Sequence, residues 1–137
     1  MTTAPTTPVG STVDRMLQAI TAGRGVPPGL FADGAVLDAT VPGWRFTVRG
    51  REGVARQYSG WFADPAVLED LERLAVPGGE VLVYLLSWVE QGVPHAAHHC
   101  HVLRIDGDGL IASDRFFCGG RWDAAHLASM AEADGAR

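Results

Sequence analysis

The chain has 137 residues, 47% hydrophobic and 20% charged, with a formal net charge of −5. This is ordinary for one globular domain and long enough to bury a real core. An acidic balance without a basic cluster argues against nucleic-acid or anionic-membrane partners, and no apolar run reaches the roughly 20 residues that span a bilayer.

No positively charged start followed by an apolar block opens the sequence, so a cytoplasmic location is expected. Cys100 and Cys118 accordingly read as free thiols in a reducing compartment. Residues 1–10 are polar and rich in Pro and Thr, and read as a flexible tail. A helix is predicted from Ser11, with Asp14 in the place of a capping-box acid and Val13, Met16, Leu17 and Ile20 on one face. It stops at Gly23, and 25–29 form an irregular connector.

Ala35 to Val41 and Trp44 to Val48 read as two short strands around a Pro42-Gly43 turn. A second helix opens near Gly50 and lines up Val54, Tyr58, Trp61 and Phe62, ending before Pro65. Residues 66–76 carry conflicting signals: Val67, Leu71 and Leu74 have helical spacing, but Pro77-Gly78-Gly79 looks like a hairpin turn into the strand Val81 to Val89. Strand is the reading adopted for most of that segment. Gln91-Gly92 then turns into a strand holding His95, His98, His99 and His101, four of the five histidines. Asp106 to Gly109 join it to a last strand ending near Cys118, and a short helix or tail covers 123–137. The domain proper is thus 11–122. Two N-terminal helices and a run of antiparallel strands make an α+β layout, a curved, mainly antiparallel sheet wrapped over the helices with a hollow between.

Alternation along a strand puts His95, Ala97, His99, His101, Leu103 and Ile105 on one face. Its apolar continuation marks that face as the inner one. An imidazole pair there suits proton transfer near neutral pH, and an inward carboxylate would orient one ring. Asp114 would do so if it shares parity with Phe116 and Cys118; the opposite parity would present Ser113 and Arg115. Tyr84, Trp88 and Leu86 share a strand face, and with Tyr58, Trp61 and Trp44 they suggest an apolar hollow able to stack a ligand. Tyr84 could also hydrogen-bond a developing oxyanion. A facial metal triad, His-x-His with a nearby carboxylate and with His95, His99 and His101 all in reach, is a third reading of the same face.

Three segments resemble the SnoaL-like branch of the nuclear transport factor 2-like superfamily. Leu30-Phe31-Ala32-Asp33-Gly34-Ala35-Val36 is similar to its Phe-Ala-Asp-Asp-Ala lead-in to the first strand. Gly50-Arg51-Glu52-Gly53-Val54 is similar to its Gly-Arg-Glu-Ala-Val helix start, and 102–111 to its last hairpin. The resemblance implies a cone-shaped pocket and a homodimer packed through the outer sheet face. It favours the inward parity of Asp114, and it sets His101 where relatives hold a pocket acid. The ketosteroid isomerase base falls on Ala39, with Asp38 reaching that spot by a one-residue slip, and Gly119-Gly120 replace a frequent acid. The family rarely uses a metal, so no metal and no cofactor are expected.

The expected activity is cofactor-independent acid–base isomerisation, dehydration or cyclisation of a small hydrophobic carbonyl or polyketide-like compound. His101 is the expected main proton carrier, with His99 and Asp114 orienting it. The expected ligand walls are Tyr84, Trp88, Leu86, Phe116, Tyr58, Trp61, Trp44 and Asp38. The alternative is a binding or assembly module without turnover.

Overall fold

The computed structural model describes residues 9–136. The tail expected over 1–10 lies, as far as residue 8, outside the described residues; Val9 and Gly10 already belong to α1 (Val9–Ala22). A 3₁₀ turn at Pro28–Leu30 leads to β1 (Phe31–Val41), β2 (Trp44–Arg49) and α2 (Arg51–Trp61). Then come β3 (Ala66–Val76), β4 (Gly79–Glu90), β5 (Val93–Ile105), β6 (Ile111–Asp123) and α3 (Ala124–Gly135). None of the described helices is long and apolar enough to cross a membrane.

The six strands form one sheet in the order β2-β1-β6-β5-β4-β3. Only β1 and β6 run parallel; every other neighbouring pair is antiparallel. Segment 66–76 is therefore β3, and tertiary pairing with β4 overrides its helical spacing. Asp70 takes φ 53° at a register shift, the bulge that broke the simple alternation there.

One sheet face alternates into the core. Leu82, Tyr84 and Leu86 on β4, and Ala97, His99, His101 and Leu103 on β5, are all buried. Val13, Met16, Leu17 and Ile20 of α1 and Val54, Ala55 and Tyr58 of α2 close over that face, as the amphipathic spacing predicts.

α1 is also fastened by polar contacts. The Thr12 hydroxyl donates to the Gly109 carbonyl in the β5–β6 turn. Asp14 has no capping contact among the described residues; it pairs with Arg73 of β3, whose guanidinium also grips the buried Glu80 of β4.

Candidate functional site

The register of β5 and β6 sets Leu103 against Asp114, His101 against Phe116 and His99 against Cys118. Asp114, Phe116 and Cys118 therefore share the inner face with the two histidines, and Ser113 and Arg115 lie on the other side. Four side chains from three neighbouring strands then meet in one line. His101 Nδ1 lies 2.7 Å from Asp114 Oδ2. His101 Nε2 lies 2.8 Å from Tyr84 Oη, and the same hydroxyl lies 3.2 Å from His99 Nδ1.

Only His99 in this line reaches open space. A cavity of about 470 Å³ opens between the sheet and the end of α2, and His99 is part of its wall. Trp61 and Phe62 of α2, Leu86 and Trp88 of β4, and Phe116 of β6 supply most of its apolar lining. Trp61 stacks on Phe116 with ring centroids 4.9 Å apart, which holds both rings as a flat wall. His99 is 7% exposed, and its Nε2 has no hydrogen-bond partner among the described residues, yet it is not one of the fully enclosed unpartnered atoms. Tyr58 Oη and Asp114 Oδ1 are enclosed and, among the described residues, unpartnered.

Burial governs the titration of the whole line. Desolvation, helped by His98, lowers His99 from 6.5 to about 4. His101 is held well below the usual histidine range by complete burial and then by His99. Burial alone pushes the Asp114 carboxyl well above the carboxylate range. Tyr84 is raised by burial, then by Cys118 and Cys100, so it stays a phenol.

Several of the expected site residues lie elsewhere than expected. His101, expected as the main proton carrier, is wholly buried and does not line the cavity; His99 does. Tyr84 and Tyr58, expected as ligand walls, are enclosed in the layer behind, Tyr84 between the two histidines and Tyr58 stacked 5.5 Å from Phe31. Asp38 is not at the cavity. Leu37 and Ala39 are buried on either side of it, so alternation turns Asp38 to the outer face, where Arg45 clasps its two oxygens at 3.0 and 2.8 Å. Trp44 stands 68% exposed at the tip of the β1–β2 hairpin, away from the cavity. Trp61, Leu86, Trp88 and Phe116 do line it.

His95 shares the inner parity but donates its Nδ1–H to the Val93 carbonyl oxygen, 2.9 Å away, and stacks on Trp88. Among the described residues, no group of His, Cys, Asp or Glu is placed to hold a metal ion. Both cysteines are free. Cys118 lines the cavity, its thiol raised mainly by burial, and Cys100 sits on the outer face.

The cavity mouth was not foreseen. Asp64, Glu90 and Arg121 line it, with Arg121 paired to Glu90 and lying 5.5 Å over the Trp88 ring. Arg121 arrives there through a bulge. His99 pairs with Cys118 and Ala97 with Arg121, so β5 spends one residue where β6 spends two, Gly119 and Gly120. The extra residue reverses the parity of β6 and turns Arg121 inward. Gly120 has φ 130°, a conformation suited to glycine, and the Gly119-Gly120 pair was the sequence signal for it.

Comparison with known proteins adds the fold. No protein-family model matches the sequence, and no curated protein matches it. Among solved structures, the chain is similar to an NTF2-like protein of unknown function from Cytophaga hutchinsonii, at 18% identity and TM-score 0.56, over 79% of this chain and 96% of that one. It is also similar to a steroid delta-isomerase from Pseudomonas aeruginosa, at 19% identity and TM-score 0.58, over 94% of this chain and 90% of that one. The chain has the nuclear transport factor 2-like fold.

Proposed function

Starting from a nuclear transport factor 2-like fold with a cavity at one end of its sheet, we propose that the protein is a cofactor-independent acid–base enzyme. Its substrate class is a small, apolar carbonyl compound, and its reaction moves a proton, as in isomerisation, dehydration or cyclisation. The observation that carries this reading is the placement of His99, an imidazole in an apolar cavity wall with one nitrogen anchored and the other free. An anchored ring in a dry wall is oriented before the ligand arrives, which favours proton transfer. The cavity volume of about 470 Å³ lies in the range of small-molecule sites. Aromatic walls suit a flat or cyclic body, and the Arg121–Glu90 pair at the mouth suits a polar end that remains near water.

Hydrogen–deuterium exchange tests the reading directly. Cyclic ketones are incubated with the protein in heavy water, and incorporation next to the carbonyl is followed by mass spectrometry. We expect exchange above the buffer rate, reduced at least about 100-fold in His99→Ala. Saturable ketone binding without exchange would instead identify a binding module that performs no turnover. Exchange unaffected by His99→Ala would remove the proposed role of this ring.

A further inference from the structure

We propose that Asp114, His101, Tyr84 and His99 form a one-proton relay, so that the buried carboxyl of Asp114 stores the proton that His99 exchanges with the cavity. The inference rests on the reading of His99 given above and assigns its supply line. Tyr84 Oη has a histidine nitrogen at 2.8 Å and another at 3.2 Å. A hydroxyl has one proton, so it donates to one ring and accepts from the other. The two tautomers are therefore locked together. When Asp114 carries its proton, that O–H donates to His101 Nδ1, His101 Nε2–H donates to Tyr84, and Tyr84 donates to His99 Nδ1. His99 Nε2–H then faces the cavity. When Asp114 is a carboxylate, every hydrogen bond reverses, and His99 offers a bare Nε2.

The same three contacts serve both states. Loss of the Nε2 proton to a ligand draws the Tyr84 proton to His99 Nδ1, the His101 proton to Tyr84 and the Asp114 proton to His101. Removal of a proton from a C–H bond, leaving its electron pair on the ligand, drives the sequence backwards. A 1,3 proton shift uses each direction once and returns the protein to its starting state. No imidazolium forms, which fits the burial of the whole line. Asp114, His101 and Tyr84 are positioning residues here; His99 alone meets the ligand.

The other titratable and charged groups near the line are Tyr58 from α2, Cys118 from β6 beside His99, His98 and Cys100 on β5, and Asp64, Glu90 and Arg121 at the cavity. The test needs no ligand. Nitrogen-15 NMR reports the His99 tautomer, and the infrared C=O stretch of a protonated carboxyl, assigned by its loss in Asp114→Asn, reports Asp114. As pH rises, the carboxyl band should vanish with the same midpoint at which His99 changes tautomer. Tyr84→Phe should keep the band's titration and abolish the His99 response, and Asp114→Asn should leave His99 in one tautomer at every pH. The relay is overturned if His99 keeps its tautomer while the wild-type band titrates, or if its switch survives in either variant. Ketone exchange that depends on His99 would still stand after that result, and a relay would stand without ketone exchange.

Discussion

His99 differs from an ordinary surface histidine in what it does on acidification. Folded, it stays neutral down to about pH 4, mainly through desolvation, whereas the unfolded chain takes up a proton near 6.5. Its contribution to stability is complete above about pH 6.5 and is lost as pH falls towards about 4, approaching about 3 kcal/mol at the acid end. Urea unfolding near neutrality and at mildly acid pH should show a shallower loss in His99→Gln than in the wild type. Equal slopes would mean that His99 titrates freely in the folded protein. Tyr84 is bound in a different way, by the two rings it joins. Tyr84→Phe keeps the shape and strands His101 Nε2 in a fully buried place, and should lower stability by about 1–3 kcal/mol in denaturant melts.

Where β4 begins, its backbone at Gly79 lies hard against β5. A Cβ on Gly79 would lie 1.8 Å from the Leu103 carbonyl oxygen. The obstacle is backbone, which cannot rotate aside, so Gly79→Ala should destabilise by about 3 kcal/mol, read as a fall in denaturation midpoint. The element scale is also where sequence reading succeeded and failed for identifiable reasons. The histidine strand was legible because His99, His101, Leu103 and Ile105 alternate without interruption, and β5 keeps that parity throughout. β3 was legible from the Pro77-Gly78-Gly79 turn, in spite of helix-forming residues that answered to a local preference alone. Asp38 comes to the outer face because β1 pairs with β2 in unbroken register over Val36–Val41, so the one-residue slip that would reverse the faces does not occur there. Arg121 was missed because only the pairing of β5 with β6 shows that Gly119-Gly120 adds a residue. The separate placements of His99 at the cavity and His101 behind it depend on where α2 ends over the sheet, a tertiary fact that no strand pattern encodes.

At the scale of the whole molecule, the sheet leaves its outer face to solvent around Val83, Cys100 and Phe117, and Phe117 is 39% exposed. The resemblance in sequence motifs implies a second copy against that face. The expected outcome is a dimer by size-exclusion chromatography with light scattering, converted to monomer by Phe117→Glu at unchanged helix and strand content. A monomeric wild type at concentrations of tens of micromolar, on the order of ordinary assay conditions, would reject the dimer.

The fastening of α1 has its own consequence for ligand traffic. Thr12 ties this helix to the β5–β6 turn, and Asp14 with Arg73 and Glu80 ties it to the edge strand β3 and its neighbour β4. A helix held by two such ties near its start makes a poor door. Guests would come and go past the salt-bridged threshold of Arg121 and Glu90, so loosening that threshold should quicken departure without changing what the chamber prefers to hold.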